Sequence, residues 1–212
     1  TLIWPEAQDK GDWKVEVPHR DKLMRLRAPF DGKPEEIART VQRYAGLMPL
    51  ENSTEALLTE FDANKRWIRI AVMDLAAPAT APRTVWDYSM DERYRNPGAP
   101  LFKWLPNGGM VVRRDGDAIF LRGAGATPQG DRPFLDRHDL KLGTTQRLFR
   151  SAPDAFERVA NVSDDGRRLF TLRETPRDPP NFFVRTLGDA VKGADEGEAV
   201  IASASQQVTD YV

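Results

Sequence analysis

The sequence predicts an all-β fold: a partial β-propeller of about four blades, each with four antiparallel strands and the first blade incomplete. Three observations predict it. The apolar runs are short, about five to seven residues, and turn residues bound them. Glycine (15) and proline (16) are spread through the 212 residues. Strand-turn-strand segments also recur at a spacing near that of propeller blades, about 40 to 50 residues.

The first predicted unit, residues 1–42, holds three strands. TLIWPEA aligns with the second strand of the later units, and DKLMRLRAPFDGKPEEIART from Asp21 supplies the third and fourth. The innermost strand is therefore missing from this unit. An alternative for Pro34 to Gly46 is a short helix with Ile37, Val41 and Tyr44 on its apolar face.

The three later units, at 43–100, 101–157 and 158–212, are each predicted to contain two hairpins. The first hairpins are RYAGLMPLENSTEALLTEF, LFKWLPNGGMVVRR and RVANVSDDGRRLFTLRE, and the second ones start at Trp67, Arg132 and Asn181. Glycines in the turns PNGG and DDGR supply the positive φ of tight hairpins. A charged segment near Asp189 to Glu198 is the other place where strand periodicity is lost.

Four leucines anchor the matched strand-turn-strand segments. They are spaced by 49, 65 and 47 residues: Leu26, Leu75, Leu140 and Leu187. Such a spacing is typical of a structural repeat, which a β-sandwich would not need.

Composition narrows the classes of partner. With 31 basic and 32 acidic residues the net charge is -1, so charge gives no reason to expect nucleic acid or an anionic membrane as partner. No apolar run approaches the roughly 20 residues of a membrane span. Cysteine is absent, which removes disulfides and thiolate sites but leaves the cellular compartment open. Because the chain begins inside a predicted strand and without a signal segment, we expect it to be a piece of a longer protein.

No catalytic, metal or cofactor site is predicted. The two histidines, His19 and His138, lack the converging ligands of a metal site, and Asp131 and Asp136 do not have calcium-loop spacing. The glycines of RGAGATPQGD, from Arg122, are followed by proline instead of the helix that a phosphate loop needs, so a long loop is predicted there.

The five tryptophans permit two interpretations. They could form a stacking platform for a sugar or nucleotide, but one aromatic residue per strand also suits packing between blades. We expect most of them to be core residues: Trp4, Trp13, Trp67, Trp86 and Trp104.

Three segments carry a more specific resemblance. WPEAQDKGDWKVEVPHRD, DRPFLDRHDLKLGTTQRLFRS and LRETPRDPPNFFVR resemble the N-terminal propeller of the prolyl oligopeptidase superfamily of serine peptidases, and are most similar to bacterial members of its glutamyl endopeptidase and aminoacyl-peptidase-like branch. In that family the catalytic serine, histidine and aspartate lie in a C-terminal α/β-hydrolase domain. This sequence has no G-x-S-x-G, so the resemblance implies a propeller fragment that is inactive alone and meets peptide substrates through the hydrolase domain.

The stretch RETPRDPPNFFVR is predicted to cross from the second to the third strand of the last unit. Pro179 and Pro180 keep it extended, because proline fixes φ and restricts the residue before it. The functional alternative is that Arg173, Glu174 or Arg177 contacts substrate, since a guanidinium can hold a carboxylate with two hydrogen bonds.

Two further expectations follow from a partial propeller. Exposed blade faces should bind a second copy of the chain or an adjacent fragment. The alternative to a peptidase propeller is a non-enzymatic propeller that serves as a binding or scaffold module.

Overall fold

The computed structural model describes residues 1–187 and 206–207, and strands are their main regular secondary structure. The strands fall into two compact units, one of Thr1–Glu92 with Trp104–Val111, the other of Arg93–Lys103 with the described residues from Val112 onward. A single turn of 3₁₀ helix at Arg93–Arg95 is the one helical element among the described residues. The fold is all-β, as predicted.

The first unit contains two antiparallel meanders. A three-stranded sheet has the order β1-β2-β3, and a four-stranded sheet has the order β4-β5-β6-β7. The strands are β1 (Leu2–Ala7), β2 (Asp21–Leu26), β3 (Glu35–Thr40), β4 (Arg43–Pro49), β5 (Glu55–Asp62), β6 (Trp67–Asp74) and β7 (Arg83–Ser89). The first sheet is thus one strand short of the second, as predicted.

The helical alternative for Pro34 to Gly46 is wrong, because this segment forms β3 and the start of β4. Leu23 pairs with Ala38 while Met24 pairs with Glu36, so Ile37 is the extra residue of a β-bulge. The bulge breaks the strict alternation of buried positions, leaving Ile37 and Thr40 buried three residues apart. Ile37, Val41 and Tyr44, whose spacing suggested a helix, lie instead in β3, between the two strands and in β4, respectively.

The second unit contains two larger sheets and the small hairpin β13-β14. The strands after β7 are β8 (Ala99–Pro100), β9 (Phe102–Trp104), β10 (Met110–Val112), β11 (Arg114–Asp115), β12 (Ala118–Gly123), β13 (Ala126–Thr127), β14 (Gly130–Asp131), β15 (Phe134–Asp139), β16 (Thr145–Arg150), β17 (Phe156–Val162), β18 (Arg168–Glu174), β19 (Asn181–Thr186) and β20 (Gln206–Gln207). One sheet has the order β11-β12-β15-β16 with β8 also on β12, and the other has the order β17-β18-β19-β20.

The pairing inside the third predicted unit differs from the prediction. LFKWLPNGGMVVRR was expected to form two blade strands, but β9 and β10 make a separate two-stranded sheet. The strand that pairs with β15 is β12, whose residues Ala118 to Leu121 are all at most 3 % exposed. Because this short run is buried throughout, it carries no alternation to mark it as a strand. The loop predicted in RGAGATPQGD likewise contains the small hairpin β13-β14.

The repeat is visible as a repeated hydrogen bond. The amide of Leu75 donates to the carbonyl of Thr54 at 2.9 Å, that of Leu140 to Asp117 at 3.0 Å, and that of Leu187 to Arg167 at 2.8 Å. In each case the leucine follows the third strand and the acceptor precedes the second. Three of the four periodic leucines therefore mark equivalent corners of their sheets, whereas Leu26 lies within β2, opposite Leu2. The fold is a partial β-propeller.

Each unit has its own apolar core. In the first unit the two sheets contribute Leu23, Ile37, Ala56, Leu58 and Met73. In the second unit the core is Leu101, Phe120, Leu135, Phe149, Val159, Val162 and Leu169. Strand burial of this kind fixes register, because a shift by one residue would turn these side chains outward.

Candidate functional site

The predicted substrate-contact residues lie around the crossing between β18 and β19. Arg173 and Glu174 are consecutive on β18, so strand geometry directs their side chains to opposite faces. Both are half-buried, whereas Arg177 is exposed in the turn that follows. In that turn the amide of Arg177 donates to the Thr175 hydroxyl at 3.2 Å. The three side chains thus do not converge on one point.

The guanidinium of Arg173 lies beside a buried carboxylate. Glu157 on β17 is 2 % exposed, and its Oε2 lies 3.9 Å from Nε of Arg173. Arg185 on β19 holds the same carboxylate with two hydrogen bonds of 2.6 Å, and the Thr171 hydroxyl donates to it as well. Arg173 also lies over the ring of Phe183, 6.0 Å from its centroid. This cluster joins three neighbouring strands, so Arg173 has a structural partner whatever else it contacts.

A second ionic cluster lies at the loop ends of the first unit. Asp9 is fully buried, and its Oδ2 accepts hydrogen bonds from Arg20 at 2.9 Å and Arg43 at 2.5 Å. Arg43 also donates to Asp21 at 2.6 Å. Burial raises the pKa of Asp9, but the bonds from both guanidiniums and from the Gly11 amide outweigh it and lower the pKa to about 2. Asp9 is therefore ionised throughout the neutral range and fixes both arginines.

Two adjoining pockets open beside this cluster. One, of about 350 Å³, is lined by Trp13, Arg20, Gln42, Arg43, Phe61, Asp62, Ala63 and Asn64. The other, of about 240 Å³, is lined by Gln42, Glu60, Asp62, Lys65, Trp67 and Arg69. They share Gln42 and Asp62, and we call the two together the tryptophan groove.

The prediction that most tryptophans are core residues is wrong. Trp13 is 61 % exposed, Trp67 37 % and Trp104 72 %, and the remaining two are half-buried. The cores are instead built from aliphatic residues and phenylalanine. Sequence alone could not separate these cases, because an aromatic residue in or beside a strand has the same pattern whether it faces a neighbouring sheet or solvent.

Three of the remaining polar residues singled out from the sequence have local partners, whereas the buried Nδ1 of His19 has no hydrogen-bond partner among the described residues. Nδ1 of His138, which is buried, lies 2.8 Å from the Thr145 hydroxyl. Asp131 pairs with Arg93 at 3.2 Å, and Asp136 with Arg147 at 3.0 Å. Within residues 1–187 no three histidine, aspartate or glutamate side chains group as metal ligands would. In the same part of the chain, no helix has the length and apolar character to cross a membrane.

Comparison with known proteins identifies the relatives of this chain. No protein-family model matches it. A protein of Oryza sativa subsp. japonica named "Probable glutamyl endopeptidase, chloroplastic" is 31 % identical over an alignment of 201 residues, which covers 87 % of this chain and 21 % of that protein. A protein of Arabidopsis thaliana with the same name is 33 % identical over an alignment of 174 residues, which covers 78 % of this chain and 18 % of that protein.

The chain is a relative of the glutamyl endopeptidases. The resemblance seen in its motifs is thereby confirmed, although both relatives are plant proteins and give no support to a bacterial origin. The chain spans about a fifth of the length of the curated relatives it matches.

Two solved structures are similar to this chain, with lower sequence identity than the plant proteins. TolB from Acinetobacter baumannii has a TM-score of 0.41 and 14 % identity, covering 82 % of this chain and 37 % of that one. The uncharacterized protein lmo1340 from Listeria monocytogenes EGD-e has a TM-score of 0.38 and 11 % identity, covering 80 % and 56 %. Neither likeness bears on the function of this glutamyl endopeptidase relative.

Proposed function

We propose that this chain is part of the β-propeller of a serine peptidase, and that it limits and selects the peptides that reach the catalytic domain. The observation that carries the proposal is the identity of 31–33 % to proteins named glutamyl endopeptidase, over most of the described β-structure. On this proposal the chemistry is acyl transfer by residues outside this chain, and the 212 residues alone hydrolyse nothing.

Two measurements on the complete protein test the catalytic part. A serine-directed fluorophosphonate should label it covalently, and it should hydrolyse unstructured peptides faster than folded proteins. The 212-residue chain, assayed in parallel, should show neither labelling nor hydrolysis. A complete protein that is neither labelled nor active on peptides would contradict the proposal and favour a binding or scaffold propeller.

Arg173, Glu174 and Arg177 remain proposed substrate contacts. Arg177 is the favoured one, because it is exposed and no carboxylate is paired with its guanidinium in the described structure, whereas Arg173 lies beside Glu157. Arg177→Met in the complete protein should raise KM for substrates with a carboxylate side chain and leave KM for neutral ones unchanged.

The matched control is Arg167→Met, since Arg167 is also exposed and also lies in a turn of the same sheet. Arg173→Met should alter the same preference if its guanidinium reaches substrate. If Arg177→Met and Arg173→Met both keep the preference of the unsubstituted protein for acidic substrates, these two arginines do not select substrate.

A further inference from the structure

The tryptophan groove contains two indoles that are partly exposed to solvent, and that of Trp67 is held by a hydrogen bond. Nε1 of Trp67 donates to the Asp87 carboxylate, which also accepts from Nε of Arg69 at 3.0 Å. Trp67 and Arg69 are two residues apart on β6 and so share a face of the sheet. One carboxylate thus orients both an aromatic and a cationic group of the groove.

The loop that carries Trp13 is also fixed. Its ends are joined by a bond of 2.9 Å from the amide of Gln8 to the carbonyl of Arg20. Arg20 donates both to the buried Asp9 and, at 2.9 Å, to the carbonyl of Val15 within the loop. Trp13 is therefore exposed to solvent on a loop that is already hydrogen-bonded. A ligand that contacts Trp13 would lose little free energy to the ordering of this loop.

Two polar side chains that line the groove suit a peptide backbone: Gln42 lines both pockets and Asn64 lines the larger one. The side-chain amides of Gln42 and Asn64 make no hydrogen bond within the part of the chain that the structure describes, although the backbone amides of both residues do. A carboxamide offers a donor and an acceptor side by side, as a peptide group does. Aromatic walls with a few such groups are typical of binding sites.

We propose that the tryptophan groove binds an extended peptide segment, with apolar side chains against Trp13 and Trp67 and its backbone bonded to Gln42 and Asn64. The two pockets adjoin at Gln42 and Asp62, so one ligand can reach both, and the combined volume is in the range of ligand pockets, about 300–1,000 Å³. The peptide chemistry rests on the proposed function, and the groove would be a site where the propeller engages substrate apart from the reacting bond.

Fluorescence anisotropy on the complete protein, treated with a fluorophosphonate to prevent cleavage, tests this site. The probe is a fluorescein-labelled, uncharged dodecapeptide blocked at both ends, with one central phenylalanine. Trp13→Ala and Trp67→Ala should each weaken its binding about tenfold, the usual order for an aromatic anchor. Gln42→Ala should weaken it less, and Trp67→Phe should restore most of the affinity.

The matched control is Trp104→Ala, which removes a more exposed indole that lines neither pocket. Its Kd should stay within about twofold of the unsubstituted protein, as expected for a residue outside the contact. Equal weakening in all three tryptophan variants, no binding of the peptide at all, or displacement by chitohexaose but not by unlabelled peptide would overturn the proposal.

The outcomes separate this inference from the peptidase proposal. Fluorophosphonate labelling with unchanged peptide affinity in Trp13→Ala and Trp67→Ala would overturn the groove and leave the peptidase intact. Loss of affinity in those variants without labelling would support the groove and contradict the peptidase.

Discussion

At the scale of single residues, Asp9 illustrates how a buried charge is held ionised. Its carboxylate is removed from water yet has two guanidiniums and the Gly11 amide as partners. Its pKa of about 2 lies below the usual value of 3.8, so the folded state binds this proton less readily than the unfolded state does. The stabilisation is present above pH 4 and is lost as the pH falls from about 4 through about 2.

Asp9→Asn tests this account by thermal unfolding at several pH values. The variant should unfold at a lower temperature than the unsubstituted protein at pH 7, because Arg20 and Arg43 lose a shared anion. The difference should shrink between pH 4 and pH 2, where the aspartate becomes protonated. A difference that stays constant down to pH 2 would show that Asp9 acts through its shape and not through its charge.

Residue-level chemistry was only partly predictable from the sequence. Arg173 was singled out because guanidiniums bind carboxylates, and the structure places it beside one, Glu157. Yet Glu157 and Arg185 are distant from Arg173 in sequence and meet it only because β17, β18 and β19 are neighbours. Asp9 and Arg43 are 34 residues apart, and no sequence motif links them. Clusters that depend on strand pairing are invisible until the sheet order is known.

At the scale of elements, the hairpins were predictable where turn residues and strand alternation coincide. The β17-β18 and β4-β5 hairpins were correctly predicted on this basis. The prediction failed in the buried run of β12, which lacks alternation. The strands predicted around Ile37 are confirmed, although the helical spacing of Ile37, Val41 and Tyr44 offered an alternative there. In the glycine-rich segment before β15, glycines lie close to the backbone of neighbouring segments, and no local sequence pattern predicts these contacts.

Gly125 shows such an approach. Its φ is +62°, and a Cβ placed on it would lie 2.0 Å from the carbonyl oxygen of Arg132. Gly125→Ala should therefore lower the free energy of unfolding by about 3 kcal/mol or more, the size expected when backbone must move. Urea unfolding of the purified protein measures it.

Gly143→Ala is the matched control for this substitution. Gly143 also has a positive φ, +70°, but a Cβ there would meet nothing within 4 Å. It should cost only the left-handed backbone strain, about 1–2 kcal/mol. Equal losses in the two variants would mean that the contact with Arg132 is relieved without cost.

At the scale of the whole molecule, the sheets differ in their number of strands, and the first sheet has β1 as an edge strand. The first sheet has three strands, and within the described residues β1 pairs with β2 alone. An edge strand with free amides and carbonyls is a template for another strand. Leu2, on this strand, is 53 % exposed, which adds an apolar side chain to the edge.

We therefore expect the isolated 212-residue chain to self-associate at micromolar concentration, as light scattering would show, or to bind an adjacent fragment. Leu2→Lys should shift the isolated chain towards monomer, because a lysine on an edge strand opposes strand addition. Leu142→Lys is the control, since Leu142 is 76 % exposed but lies in the turn between β15 and β16. A monodisperse monomer for the unsubstituted chain would contradict self-association. Equal effects of Leu2→Lys and Leu142→Lys would show that the chain does not associate through β1.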